Sequence, residues 1–183
     1  MSNGTIPFSV GNGVGIFAAA IIGDTLYGIF MNNACCNPLT IISVPKALYE
    51  RWIVHAWAFN IVRDDGIAPG YYYNGDMIAE KGQLVYTFIT NSGNFILVDN
   101  AYGRTVTIGT VSTSESFFSY IRRFGATQLL ILAVSGSGWN LNTLNAYIYD
   151  FSSGDITQVL SNVSVSAVTR YGYIPSGTST FQL

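Results

Sequence analysis

The chain has 183 residues, 49% of them hydrophobic and only 10% charged, with a formal net charge of −2, whereas an ordinary soluble domain carries roughly 25% charged residues. The length suits one domain spanning residues 1–183, and the eight scattered Lys and Arg residues exclude the clustered positive field that a nucleic-acid partner requires. A surface this poor in charge sets up little long-range repulsion between copies, so the composition predicts self-association.

In chain order, Gly11-Asn12-Gly13-Val14-Gly15 starts like a phosphate loop, but Ile16 stands where the third glycine would fall, which makes it a plain strand entry. The apolar run Val14 to Ile22 is far short of the ~20 residues of a membrane helix. It also lacks a preceding Lys or Arg for a signal peptide. A buried strand and no membrane span are expected. Cys35 and Cys36 are adjacent and cannot fill a four-ligand zinc site, so two free buried thiols, no metal and no cofactor are expected. Only Pro45 to Trp57 has helical spacing, with Leu48, Trp52, His55 and Ala56 on one side. His55 is the single histidine and reads as a packing residue, leaving a serine triad without its base. Asp64-Asp65 and Asp76 with Glu80 are the densest carboxylates; exposed turns are expected there, and a carboxylate-dependent glycoside hydrolase is the remote alternative.

Strand signals dominate the rest. Thr25 to Phe30, Gln83 to Phe88 and Gln128 to Ala133 each open a run of aliphatic and aromatic residues, followed after a loop by Leu39 to Val44, Phe95 to Asp99 and Ala146 to Asp150. The loop Ser135 to Leu144 is the longest of the third unit. Two Asp-x-x-x-Gly turns follow, Asp99 to Gly103 and Asp150 to Gly154. In each, the carboxylate can accept backbone amide hydrogens and the glycine can supply positive φ. Third strands follow as Arg104 to Thr110 and Asp155 to Leu160. The fold class is therefore all-β, a single domain of antiparallel meanders.

A strand ending in an Asp, a short turn closed by Gly and a further strand resemble the outer hairpin of a β-propeller blade, over Gln83 to Thr110 and Gln128 to Ser161. The resemblance implies an inner strand before each, for which Tyr71 to Ala79 and Phe117 to Gly125 are available. A closed ring would further need Val163 to Leu183 to pair with Thr5 to Val10. A β-sandwich or jelly roll is the favoured arrangement, with the propeller-like ring of blades as the alternative.

Two aromatic groups are candidate binding sites for a glycan or a partner surface. They are Tyr71, Tyr72 and Tyr73, and Trp139 with Asn140 and Asn142. In both, rings beside amides can bury apolar area while satisfying hydroxyls. Phe118, Tyr120, Arg122 and Phe124 share a strand face that is expected to be interior or interfacial. No catalytic motif emerges. The sequence predicts a non-enzymatic structural protein, a subunit of a virion shell, virion appendage or cell-surface fibre, located on a virion or extracellular surface. Its partners would be further copies and other subunits, and its general character resembles virion proteins of viruses from hot environments. A glycan- or protein-binding β module is the alternative.

Overall fold

Aromatic and β-branched runs punctuated by glycine turns leave the chain few options besides strands. A computed structural model describes residues 3–7, 15–31, 38–45, 56–67, 73–90, 92–112, 114–137 and 140–168. Among these residues all regular structure is strand.

The strands form three sheets. In the first, β2 (Gly15–Ile22), β3 (Thr25–Met31), β4 (Pro38–Pro45) and β5 (Ala56–Ile67) follow one another as an antiparallel meander, and β1 (Asn3–Pro7) pairs with β5. The second holds β7 (Met77–Glu80), β8 (Gln83–Ile89), β9 (Asn94–Asp99) and β10 (Arg104–Thr110), again in sequence order. The third holds β11 (Ser116–Phe124), β12 (Gln128–Ser137), β13 (Asn140–Asp150) and β14 (Ile156–Val168), with the two-residue β6 (Tyr73–Asn74) parallel to β11. The all-β fold expected from the sequence is thus present, as antiparallel sheets layered face to face in the manner of a sandwich.

The second sheet is the middle layer, and period-two alternation gives it two buried faces. Met77, Leu84, Tyr86, Phe88 and Val98 pack against Ala18, Ala20, Ile29 and Ile41 of the first sheet. Val85, Phe95 and Leu97, on the opposite face, pack against Phe117, Ile121, Leu129, Ile131, Tyr149 and Phe151 of the third. A strand buried on both sides reads as a nearly continuous apolar run rather than an alternating one, and Leu84 to Phe88 is buried throughout and apolar but for Thr87. Fully burying each of these large side chains contributes about 1.5–3 kcal/mol. The far face of the third sheet carries its own cluster of Phe118, Val134, Leu141 and Leu144, with Tyr120 packed against it.

Both Asp turns form as their chemistry requires. Asp99 Oδ1 accepts from the Tyr102 amide at 3.2 Å, and Asp150 Oδ1 accepts from the Ser152 amide at 2.8 Å. Gly103 and Gly154 close them at φ 67° and 83°. Of the run Val14 to Ile22, Gly15–Ile22 form β2, with Ala18 and Ala20 buried, and Val14 lies outside the described residues.

Four expectations change. Pro45 ends β4 while Ala56 and Trp57 open β5, so the ends of the expected helix are strand; residues 46–55, with His55, lie outside the described residues. Asp64 and Asp65 sit within β5, where Asp64 pairs with Thr40, not in a turn. The long loop at 135–144 is mostly ladder, because β12 continues to Ser137 and β13 begins at Asn140. Its glycine explains why: Gly136 lies so close to the opposite strand that a Cβ would come within 2.0 Å of the Asn140 carbonyl oxygen. Finally, Thr5 to Pro7 pair with β5 and Val163 and Ser164 pair with β13, so these residues do not meet each other.

Candidate functional site

Three buried or half-buried polar connections cross between the middle and third sheets. Thr87 and Ser119 share a hydrogen bond of 2.8 Å between their hydroxyls. The Tyr149 hydroxyl donates to Asp99 Oδ2 at 2.6 Å, with both residues fully buried. Asp76 Oδ2 accepts from the Ile121 amide at 2.9 Å and from Arg122 Nη1 at 2.7 Å. Burial, and then the hydrogen bond to Asp99, push the Tyr149 hydroxyl up to about 12. Asp99 and Tyr149 cannot reach a substrate from the core; they hold the sheets in register.

The hairpin ends of the same two sheets are locked by cations on rings. Tyr102 stacks on Phe151 at 5.6 Å, Lys81 Nζ lies 4.1 Å above the Tyr102 ring, and Arg123, ion-paired with Glu80, lies over Phe151. Arg104, from the first Asp turn, donates to the Phe151 and Ser152 carbonyls in the second at 2.7 and 3.1 Å. These side chains are spent on one another, so the cluster is structural.

An opening remains at the other end of this interface. A cleft of about 160 Å3 is lined by Gly109, Thr110, Val111 and Ser112 at and beyond the end of β10, by Glu115 and Phe117, by Ala133 and Ser135 of β12, by Asn145 and Tyr147 of β13, and by Phe95 and Asn162. Two local irregularities shape it. The β9–β10 register slips between Thr107 and Gly109. In β14, Asn162 adopts φ 49° within a stretch where the β13 register shifts, an extra residue in one strand being how a bulge bends a ladder. Asn145 holds that bend, its Oδ1 accepting from the Asn162 amide at 2.9 Å and from Gln158 Nε2 at 3.1 Å. Phe117 and Phe95 meet edge to face at 4.8 Å beneath the cleft, and Tyr147 lies 6.4 Å from Phe95. Burial pushes the Tyr147 hydroxyl above its ordinary value. Among the described residues no Lys, Arg or His lines the cleft.

Of the residues singled out from sequence, Tyr71, Tyr72 and Trp139 lie outside the described residues. Tyr73 is in β6, opposite Phe117 in the parallel ladder. Asn140 and Asn142 are exposed at the start of β13, and neither lines the cleft. Phe118 is buried, while Arg122 is exposed and paired with Asp76. Sequence reasoning missed Glu115, Asn145, Tyr147 and Asn162. The alternation of Asn145 and Tyr147 on one strand face was readable, but the cleft exists only because β10, β13 and β14 converge.

Among the described residues no group of three or more His, Cys, Asp or Glu could hold a metal ion, and no helix is long and apolar enough to cross a membrane. No protein-family model matches the chain, and no curated protein sequence matches it significantly.

Proposed function

We propose that this chain is a non-enzymatic structural protein, one subunit of an assembly on a virion or extracellular surface, and that copies meet through β14. The observation that carries this reading is the state of that strand. It is the outer edge of the third sheet, every residue from Thr157 to Ser164 is exposed, and Ile156–Val168 contains no charged residue. Natural edge strands are usually blunted by Lys, Pro or inward-facing charge. Among the described residues only bulges serve that purpose, and they leave Val159, Leu160 and Val163 exposed by 49%, 39% and 39%.

Magnitudes favour many contacts over one. Each of those side chains is already more than half buried, so completing its burial adds about 1 kcal/mol, or about 6 kcal/mol for three from each of two copies. Association costs ~4–15 kcal/mol in lost freedom. A single such contact is therefore weak, and a stable assembly needs additional surfaces; Ile21 on β2 and Phe124 on β11, exposed by 56% and 52%, supply apolar side chains for them. The blade-like reading of the hairpins belongs to the same proposal, supported by three four-stranded meanders that succeed one another along the chain.

Sedimentation velocity at low salt and at about 1 M salt, where the Debye length is ~3 Å, tests the reading. Association is expected under both conditions, because the contacts are apolar, and Val159→Lys with Val163→Lys is expected to weaken it. A monomer under both conditions overturns the structural role and favours the binding-module reading, for which the cleft is the specific support.

A further inference from the structure

We infer that the cleft between the end of β10 and the central parts of β13 and β14 binds one neutral sugar ring. The inference stands apart from assembly through β14, because it rests on what lines the cleft.

The ligand's charge follows first. Among the described residues Glu115 is the only charged one in the lining, and its carboxylate has no ion pair or hydrogen bond with any of them. An anion would meet that carboxylate with no cation to offset it. A divalent metal would need several more oxygen ligands with charge, and a single carboxylate does not supply them. The remaining polar lining among the described residues, Thr110, Ser112, Ser135, Asn145, Asn162 and the Tyr147 hydroxyl, is neutral, which suits a ligand that both donates and accepts hydrogen bonds at several points without charge of its own.

Shape and chemistry then narrow the class. Tyr147 is half-buried and lines the cleft beside Phe95 and Phe117, whose rings meet edge to face. A mainly polar wall of amides, hydroxyls and a carboxylate with aromatic residues beside it matches a pyranose, whose hydroxyls take the polar groups while its C–H edges meet the ring surface that is open. Neighbouring hydroxyls can both donate to one carboxylate, which accepts through two oxygens. Asn145 is held in one orientation by the two bonds to its Oδ1, leaving its amide hydrogens to donate. Asn162 is fixed at a positive φ by that same contact, so the wall is arranged before any ligand arrives and little ordering is lost on binding. The volume of about 160 Å3 is below the ~300–1,000 Å3 of pockets that enclose drug-sized ligands. One ring fits, with the rest of any glycan in solvent.

The test is ligand-observed NMR and calorimetry with glucose, galactose, mannose, N-acetylglucosamine and their methyl glycosides, using methylammonium chloride as the charged comparison. Saturable binding of at least one sugar is expected, with a dissociation constant in the millimolar range. Binding of the methyl glycoside as well as the free sugar assigns the cleft to a glycan terminus; binding of the free sugar alone assigns it to monosaccharide, and either supports a sugar site. Glu115→Ala is expected to weaken binding tenfold or more with little change in melting temperature, since the carboxylate makes no hydrogen bond or ion pair among the described residues. Tyr147→Leu is expected to weaken it similarly. Absence of saturable sugar binding at 50 mM, tighter binding of methylammonium than of every sugar, or sugar binding that Glu115→Ala leaves unchanged would each overturn the assignment.

Discussion

Replacing Tyr149 with Phe removes one oxygen atom from the interior and leaves the ring in place. That oxygen donates to Asp99 Oδ2 at 2.6 Å, while Asp99 Oδ1 accepts from the Tyr102 amide, and both side chains are fully buried. The substitution strands a carboxylate oxygen where water cannot replace the lost donor. A hydrogen bond to a charged group is worth about 1.5–3 kcal/mol. For a domain of about 150–250 residues, each 1 kcal/mol moves the melting temperature by ~2–4 °C, so a fall of about 3–12 °C is expected at neutral pH. Thermal melts followed by circular dichroism would measure it. Combining the change with Asp99→Asn should cost less than the sum of the two, because the pair is one interaction. A Tyr149→Phe protein that melts within about 1 °C of the parent would show that the Asp99–Tyr149 contact does not hold the two sheets together.

The same hydroxyl makes the fold sensitive to alkali. Its pKa rises to about 12 in the fold from about 10 in an unfolded chain, so its contribution is fully present below pH 10 and is lost as pH rises through 12. Tyr120 and Tyr147 are raised in the same direction, chiefly by burial. Absorbance titration at 295 nm should show a late tyrosine step that coincides with unfolding, and complete titration by pH 10.5 would contradict it. Gly103→Val and Gly154→Val should each destabilise by about 1 kcal/mol or more, since both glycines sit at positive φ. The Gly154 change should be the larger, because its Cβ would meet the Arg104 guanidinium at 3.0 Å. Gly109→Val is the comparison, having open space around it and an ordinary φ. Equal melting of all three would disprove the turn geometry.

The class of fold and the two Asp turns were legible because their causes are local. A carboxylate that accepts nearby amides and a glycine at positive φ act within five residues, and both survive any arrangement of the sheets. The double burial of Leu84 to Phe88 was visible as a run apolar but for Thr87, although which sheet covers which face was not. Gly136 misled for a physical reason: between Ser135 and Ser137 it reads as a loop residue, but its missing Cβ admits the opposite backbone within a hairpin. The cleft was not legible at all. Glu115, Asn145, Tyr147 and Asn162 come from one loop and two strands, and their convergence depends on register shifts that no short pattern encodes.

The two Asp turns began as copies of one pattern, and their fates show what stacking demands of this sequence. Asp150 remains half-exposed, with its pKa held below the ordinary carboxylate value chiefly by the hydroxyl and amide of Ser152 and the amide of Ser153; it closes its own turn and accepts from Gln128 Nε2 at 3.3 Å on the adjoining strand, all within one sheet. Asp99 closes its turn too, but it belongs to the middle sheet, so its second oxygen faces the neighbouring layer and is taken up by Tyr149. Apolar faces attract without fixing direction, and two flat hydrophobic sheets could slide past one another at little cost. A carboxylate placed in that interface has one position in which it is satisfied, and any displacement leaves it buried without its donor. Thr87 with Ser119, and Asp76 with the Ile121 amide, impose the same condition at two further points. The alignment that these contacts fix is also the alignment that brings Thr110, Asn145 and Asn162 to one rim, so the cleft inherits its geometry from the polar pins in the core.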